Sequence, residues 1–188
     1  MVLTALFMAM IMVLTAMTKI PVPATKGYVH LGDCMIFVAV VVLGRKYGTI
    51  AAGVGSALAD IIGGYAYYAP VTLIVKSLMA FVMARFIIWA LKKFEHHPVI
   101  PIGIGMALAG ALMATGYYCA EVIMYGNFLL PVAAIPGNIA QFVAGMAVAL
   151  PLTAALSKTP IGKSFAFPVR MPERMEKTPE VHHVNSKA

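Results

Sequence analysis

The chain has 188 residues, of which 61% are hydrophobic and only 11% charged. A soluble domain carries about 25% charged residues, so this sequence cannot clothe a water-facing surface and reads as an integral membrane protein. The net charge of +7 does not mark a nucleic-acid binder, because the basic residues fall in short connections and the C-terminal stretch, where they orient a membrane protein.

Breakers divide the apolar sequence into six predicted helical spans. The first runs over Val2 to Thr18 and ends at Pro21 and Pro23. No basic n-region precedes it, so it is expected to be a retained helix rather than a cleaved signal. The second covers Leu31 to Leu43 and stops at Gly44-Arg-Lys-Tyr-Gly48; the third covers Thr49 to Ile62 and ends at Gly63-Gly64. The fourth follows Pro70 to Leu91 and closes on Lys92-Lys93, the fifth runs from Pro101 to Tyr125, and the sixth from Pro131 to Leu156. The last three exceed the ~20 residues needed to cross a bilayer. The second and third are shorter, which leaves a four-span arrangement with a re-entrant pair as the alternative. The expectation is an all-α membrane protein, with a six-helix transmembrane domain over residues 1–157 and a flexible cytoplasmic tail over 158–188, where prolines and mixed charge prevail.

Arg45, Lys46, Lys92, Lys93, Lys158 and Lys163 gather on one side of this topology, and only Lys19 and Lys26 on the other. The basic side is the cytoplasmic one, which puts both termini inside. Cys34 and Cys119 read as apolar filling, with no disulfide required.

In this frame Asp60, Lys76, Glu121, Asn138 and Gln141 come to similar depths near the outer face. At ~1.5 Å per residue, Lys76 lies ~9 Å below it, Glu121 ~7 Å, and Asn138 and Gln141 ~10 to 15 Å. Ionisable groups in a membrane segment are functional-site candidates by default, and one polar layer suggests a pocket for a small polar solute. The plainer readings are a headgroup position for Asp60, a structural Lys76–Glu121 ion pair, and interhelical hydrogen bonds for Asn138 and Gln141. Asn127 belongs to a turn, where asparagine is common. Seven tyrosines also fall on the outer side; Tyr68 and Tyr118 are the expected ring-stacking contacts. The loop from Pro21 to Gly32 is long enough to fold over the layer as a lid. His30 and Asp33 flank it, but two ligands make no metal site, and neither a metal nor a cofactor is expected.

Ala5 and Ala9 form a small-xxx-small step on the first span, a geometry that lets helix backbones approach closely, and are expected to face a partner. The small residues of the third span (Gly48, Ala52, Gly53, Ser56) and of the fifth (Gly103, Ala107, Gly110) are expected to serve internal packing.

The pieces Tyr28-Val-His-Leu-Gly-Asp33, Leu43-Gly-Arg-Lys-Tyr-Gly48, Gly55-Ser-Ala-Leu-Ala-Asp60, Gly64-Tyr65 and Pro70-Val-Thr-Leu-Ile-Val-Lys76, in this order, resemble the substrate-binding S components of energy-coupling factor (ECF) vitamin importers, in particular the riboflavin-type group. The resemblance spans roughly residues 1 to 160. It implies six helices with both termini inside, an outward pocket capped by the loop after the first helix, and location in the plasma membrane of a prokaryote. It further implies that Ala5 and Ala9 dock on a transmembrane coupling subunit, which works with two cytoplasmic ATPase subunits. The chain has no phosphate-binding loop of its own. The function so implied is high-affinity binding and translocation of a water-soluble vitamin or precursor, of pyridoxine or hydroxymethylpyrimidine, pantothenate or riboflavin type. The alternative is an autonomous secondary transporter titrating Asp60 or Glu121; the inverted repeats it calls for are not found. An enzyme is not expected: Ser56 lacks a Gly-x-Ser context, and His96, His97, His182 and His183 fall on the cytoplasmic side.

Overall fold

The computed structural model describes residues 1–93 and 98–167. The expectations for His96, His97, His182, His183 and the tail beyond residue 167 lie outside the described residues. Among those described, five long helices account for most of the chain: α1 (Val2–Met17), α2 (Asp33–Ile62), α3 (Ala69–Lys93), α4 (Val99–Tyr125) and α5 (Ile135–Ser157). Four helical stretches, α2, α3, α4 and Leu130–Ser157, are long and apolar enough to cross a membrane.

The physical logic of α1 is a stripe. Thr4, Phe7, Ile11 and Thr15 are buried, at steps of three and four that fall on one helix face. Leu3, Leu6, Met10, Val13 and Met17 are exposed, as an apolar surface facing lipid would be. Ala5 and Ala9 lie on this exposed surface.

α2 is one helix only in its hydrogen bonding. At Gly44 the backbone takes φ 74° and ψ −169°, a region that is essentially glycine-only, and there the chain turns back. A methyl group at Gly48 would sit 2.9 Å from the Val40 Cα, a contact that residues eight apart on a straight helix, ~12 Å along the axis, never make. The half before the break is buried on nearly every side, from Cys34 through Val42 with only Met35 partly exposed. The break is narrower than the five-residue stretch Gly44–Gly48 had suggested, because Arg45 to Gly48 already belong to the next helical turn. Gly55 brings the second half against α1; a side chain there would lie 2.8 Å from the Met8 carbonyl oxygen.

The segment expected to begin a flexible tail docks at this break. Pro160–Ser164 forms a 3₁₀ turn. The amides of Ala166 and Phe167 then donate to the carbonyls of Val42 (3.1 Å) and Val41 (3.0 Å), which satisfies carbonyls that a helix end leaves open. Phe167 is buried in the core.

Around α2 the remaining helices pack in sequence, with α1 and α3 on it, α4 on α3, and α5 closing against α4 and α2. The small residues of α4 divide differently from expectation. Ala107 is exposed and nothing lies near Gly103, whereas Gly105 and Ala109 are buried, with Gly105 facing Met83 and Ile87 of α3. Gly110 packs as expected, buried where a methyl group would lie 2.3 Å from the Phe142 ring of α5, so only the first two positions of the expected row are displaced, by two residues.

Candidate solute site

Between α1 and α2 the chain forms a short hairpin, β1 (Ile20–Val22) paired antiparallel with β2 (Gly27–Val29), Pro21 opposite Tyr28. Three-residue strands are too short to show alternation in the sequence, which had suggested only a loop over this stretch. The hairpin covers the end of the bundle and is fastened by side chains from α2, α4, α5 and the turn between α2 and α3. Tyr67 donates to the Lys26 carbonyl at 2.6 Å, and the Tyr68 hydroxyl lies 3.0 Å from the Thr25 carbonyl. Tyr125 donates to the same carbonyl. Gln141 of α5 accepts the His30 amide at 2.9 Å, and Tyr28 donates to Asp60 at the end of α2. Much of the unusual tyrosine density is thus explained by hydroxyls that hold the lid's backbone.

Beneath the hairpin lies a hollow. Asp60, Tyr68, Glu121, Asn138 and Gln141 all line it, which brings five of the seven expected site residues to one place. Asp60, Glu121, Asn138 and Gln141 are 2%, 3%, 7% and 5% exposed. The other two go elsewhere. Lys76 is bonded to Asp33 at 2.5 Å, with both side chains 0% exposed. It also lies 2.9 Å from the Met113 sulfur. The expected structural partner of Lys76 was Glu121; the partner found is Asp33, which in the sequence stands only at the edge of the lid. Gln141 donates to the second oxygen of Asp33 at 2.8 Å, so the ion pair, the amide and the His30 backbone form one connected network. Tyr118 points its hydroxyl to the Phe128 carbonyl at 3.2 Å and is not among the lining residues. Its neighbour Tyr117 is. Tyr117 continues the row Met106, Gly110, Met113 toward Glu121 at steps of three and four, and that spacing would have selected it. Asn127 is exposed and accepts the amides of Leu129 and Leu130 at 2.8 and 3.2 Å, the side-chain turn expected of it.

As closed here, the hollow has a free volume of about 30 Å³, room for about one or two waters. Its walls nevertheless carry polar atoms without partners. Of the five buried side-chain oxygens lacking a hydrogen bond among the described residues, four belong to lining residues: Thr25 Oγ1, Ser56 Oγ, Asp60 Oδ2 and Glu121 Oε2. Buried polar atoms are normally paired, and four of these five unpaired ones belong to residues around this one hollow. Above it, His30 is held neutral. Burial, helped by the nearby Lys76 charge, lowers its pKa to about 3, and its Nδ1 accepts the Gly32 amide at 3.0 Å.

Residues 1–158 match the family described as "ECF-type riboflavin transporter, S component". The chain belongs to this family. It is accordingly a vitamin-type substrate-binding subunit of an ECF transporter, and its family is one of transporter components rather than enzymes. The chain is also similar to a protein of Pyrococcus woesei described as "Uncharacterized protein in gap 3'region", 37% identical over 114 residues that cover 61% of this chain and 72% of that protein.

Proposed function

We propose that this S component captures a water-soluble vitamin or vitamin precursor at the outer face of a prokaryotic plasma membrane and passes it inward with a separate ATP-driven coupling module. The single observation that carries this reading is the cluster of four unpartnered buried oxygens around one hollow, under a hairpin fastened by tyrosines. In the proposed topology the two halves of α2 cross separately. Six segments then traverse the bilayer and both termini lie inside, in keeping with Arg45, Lys46, Lys92, Lys93, Lys158 and Lys163 on one side. Asp60, Tyr68, Glu121, Asn138 and Gln141 are proposed as solute contacts, joined by Tyr117 in the position first expected of Tyr118. Lys76 acts through Asp33 and Gln141 by holding the floor of the site.

The closed hollow is too small for a vitamin, so binding requires the hairpin to lift. The lid's fastenings are hydrogen bonds, worth about 0.5–1.5 kcal/mol each, a scale that permits opening. Ala5 and Ala9, exposed on α1, are the proposed docking step for the transmembrane coupling subunit, which in turn engages two ATPase subunits. The deciding experiment is mass spectrometry of small molecules released from the purified chain, followed by calorimetric titration of the compound found. A vitamin or precursor binding at nanomolar to micromolar affinity is expected. A folded protein that binds none of them would overturn the reading, and uptake in cells lacking the ATPases would favour an autonomous transporter.

A further inference from the structure

Asp60 and Glu121 are both almost completely buried; Asp60 accepts the Tyr28 hydroxyl, and one Glu121 oxygen shares the single Tyr68 proton with the Thr25 carbonyl. The remaining oxygens, Asp60 Oδ2 and Glu121 Oε2, have no partner and belong to residues lining the hollow. No cation among the described residues is bonded to either of them. The Lys76 ammonium lies on Asp33 in the only salt bridge among the described residues, so that pair is internally neutral. Lys19 sits at the rim, 5.2 and 5.4 Å from the ring centroids of Tyr28 and Tyr65. His30 accepts a backbone amide at Nδ1 and adds no positive charge. The hollow is therefore lined by two carboxylates and by the rings of Tyr28, Tyr68 and Tyr117. Aromatic faces attract positive charge, and Lys19 and Lys76 already lie 5.2 and 5.6 Å from the centroids of Tyr28 and Tyr117, which leaves the Tyr68 ring.

An ionised carboxylate is costly in a low-dielectric interior unless it is paired. A third negative charge would repel both acids and an uncharged solute would meet them only as protonated, neutral acids, whereas a cation balances them as carboxylates. We propose that the solute is a small organic cation, a vitamin or precursor bearing a protonated amine or a quaternised ring nitrogen, held between Asp60 and Glu121. The proposal rests on the solute-binding reading above and goes further by assigning the sign of the charge. Thr25 Oγ1 and Ser56 Oγ, also unpartnered, remain for the solute's neutral polar groups.

The test uses the full chain in lipid nanodiscs, titrated calorimetrically with three probes: thiamine, a permanent cation; riboflavin, which is uncharged and appears in the family's description; and pantothenate, an anion. The small molecule released from unsubstituted protein is identified in parallel by mass spectrometry. Thiamine binding, or release of another organic cation, is the expected result. Asp60→Asn and Glu121→Gln, each eluting as folded protein, should then weaken that binding at least about thirtyfold, the scale of removing one partner from a buried charge pair. Tighter binding of riboflavin or pantothenate, release of an uncharged or anionic compound, or cation affinity unchanged in both variants overturns the proposal while leaving solute binding intact. If no probe binds and nothing is released, the solute-binding reading itself fails, and this assignment with it.

Discussion

Lys76 and Asp33 show how a charge can stand in an apolar interior when its counter-charge is buried with it. The pair is sealed from solvent, and Gln141 satisfies the carboxylate's other oxygen. Removing one partner strands the other, so Lys76→Met alone should lower stability by about 3–5 kcal/mol. Lys76→Met combined with Asp33→Leu should recover most of that loss, as read by thermal unfolding in detergent. A double variant no more stable than the single one would mean that Lys76 has a different counter-charge. His30 gives a second prediction at this scale. Its folded-state pKa of about 3 lies below the ordinary value of about 6.5, so the unfolded chain binds the extra proton first. Stability from this group is complete above pH 6.5 and is lost as pH falls from there toward 3. His30→Gln should flatten the dependence of the melting temperature on pH across that window relative to the unsubstituted chain.

The hairpin and the broken α2 are the elements on which the site depends. Tyr68 lies within hydrogen-bonding distance of both the lid carbonyl of Thr25 and Glu121, so Tyr68→Phe loosens the lid while keeping the ring. Losing one such bond corresponds to about 0.5–1.5 kcal/mol, and the bound solute should dissociate about two- to tenfold faster in a filter-binding chase. An unchanged rate would show that the hairpin is not what retains the solute. At Gly44, between the two halves of α2, a positive-φ, non-helical backbone permits the chain to reverse. Gly44→Ala is expected to cost about 1–3 kcal/mol for the backbone alone, seen as a lower melting temperature. The new methyl would also approach the Ala166 Cβ at 2.9 Å. Adding Ala166→Gly relieves that contact only, so a full rescue by the second change would locate the cost in packing rather than in the backbone.

For the whole molecule, binding and transport should separate. α1 turns Thr4, Phe7, Ile11 and Thr15 inward and leaves Ala5 and Ala9 on its outer surface. Ala5→Trp or Ala9→Trp should therefore leave solute affinity of the isolated chain within about twofold, since exposed substitutions perturb a fold little. The same changes should abolish uptake in cells that also make the coupling module. Loss of affinity instead would show α1 to be part of the solute site.

Composition alone established a membrane protein, because 11% charged residues cannot cover a soluble surface. Prolines and glycines located the helix ends closely: Pro70 against Ala69, Tyr125 at both readings, Ile62 before Gly63. Those signals are local, carried by residues next to the feature they mark. The common depth of Asp60, Glu121, Asn138 and Gln141 was legible likewise, because rise per residue is constant along a helix. Pairing was not legible in the same way. Lys76 meets Asp33 across 43 residues and Gln141 meets Asp33 across 108, and only the folding-back at Gly44 and the order of helix packing bring them into contact. The choice between Tyr117 and Tyr118, and the number of oxygens left unpartnered, are likewise decided by helix rotation and lid position. Burial and spacing follow from the residues themselves, whereas which charge neutralises which is a property of the assembled bundle.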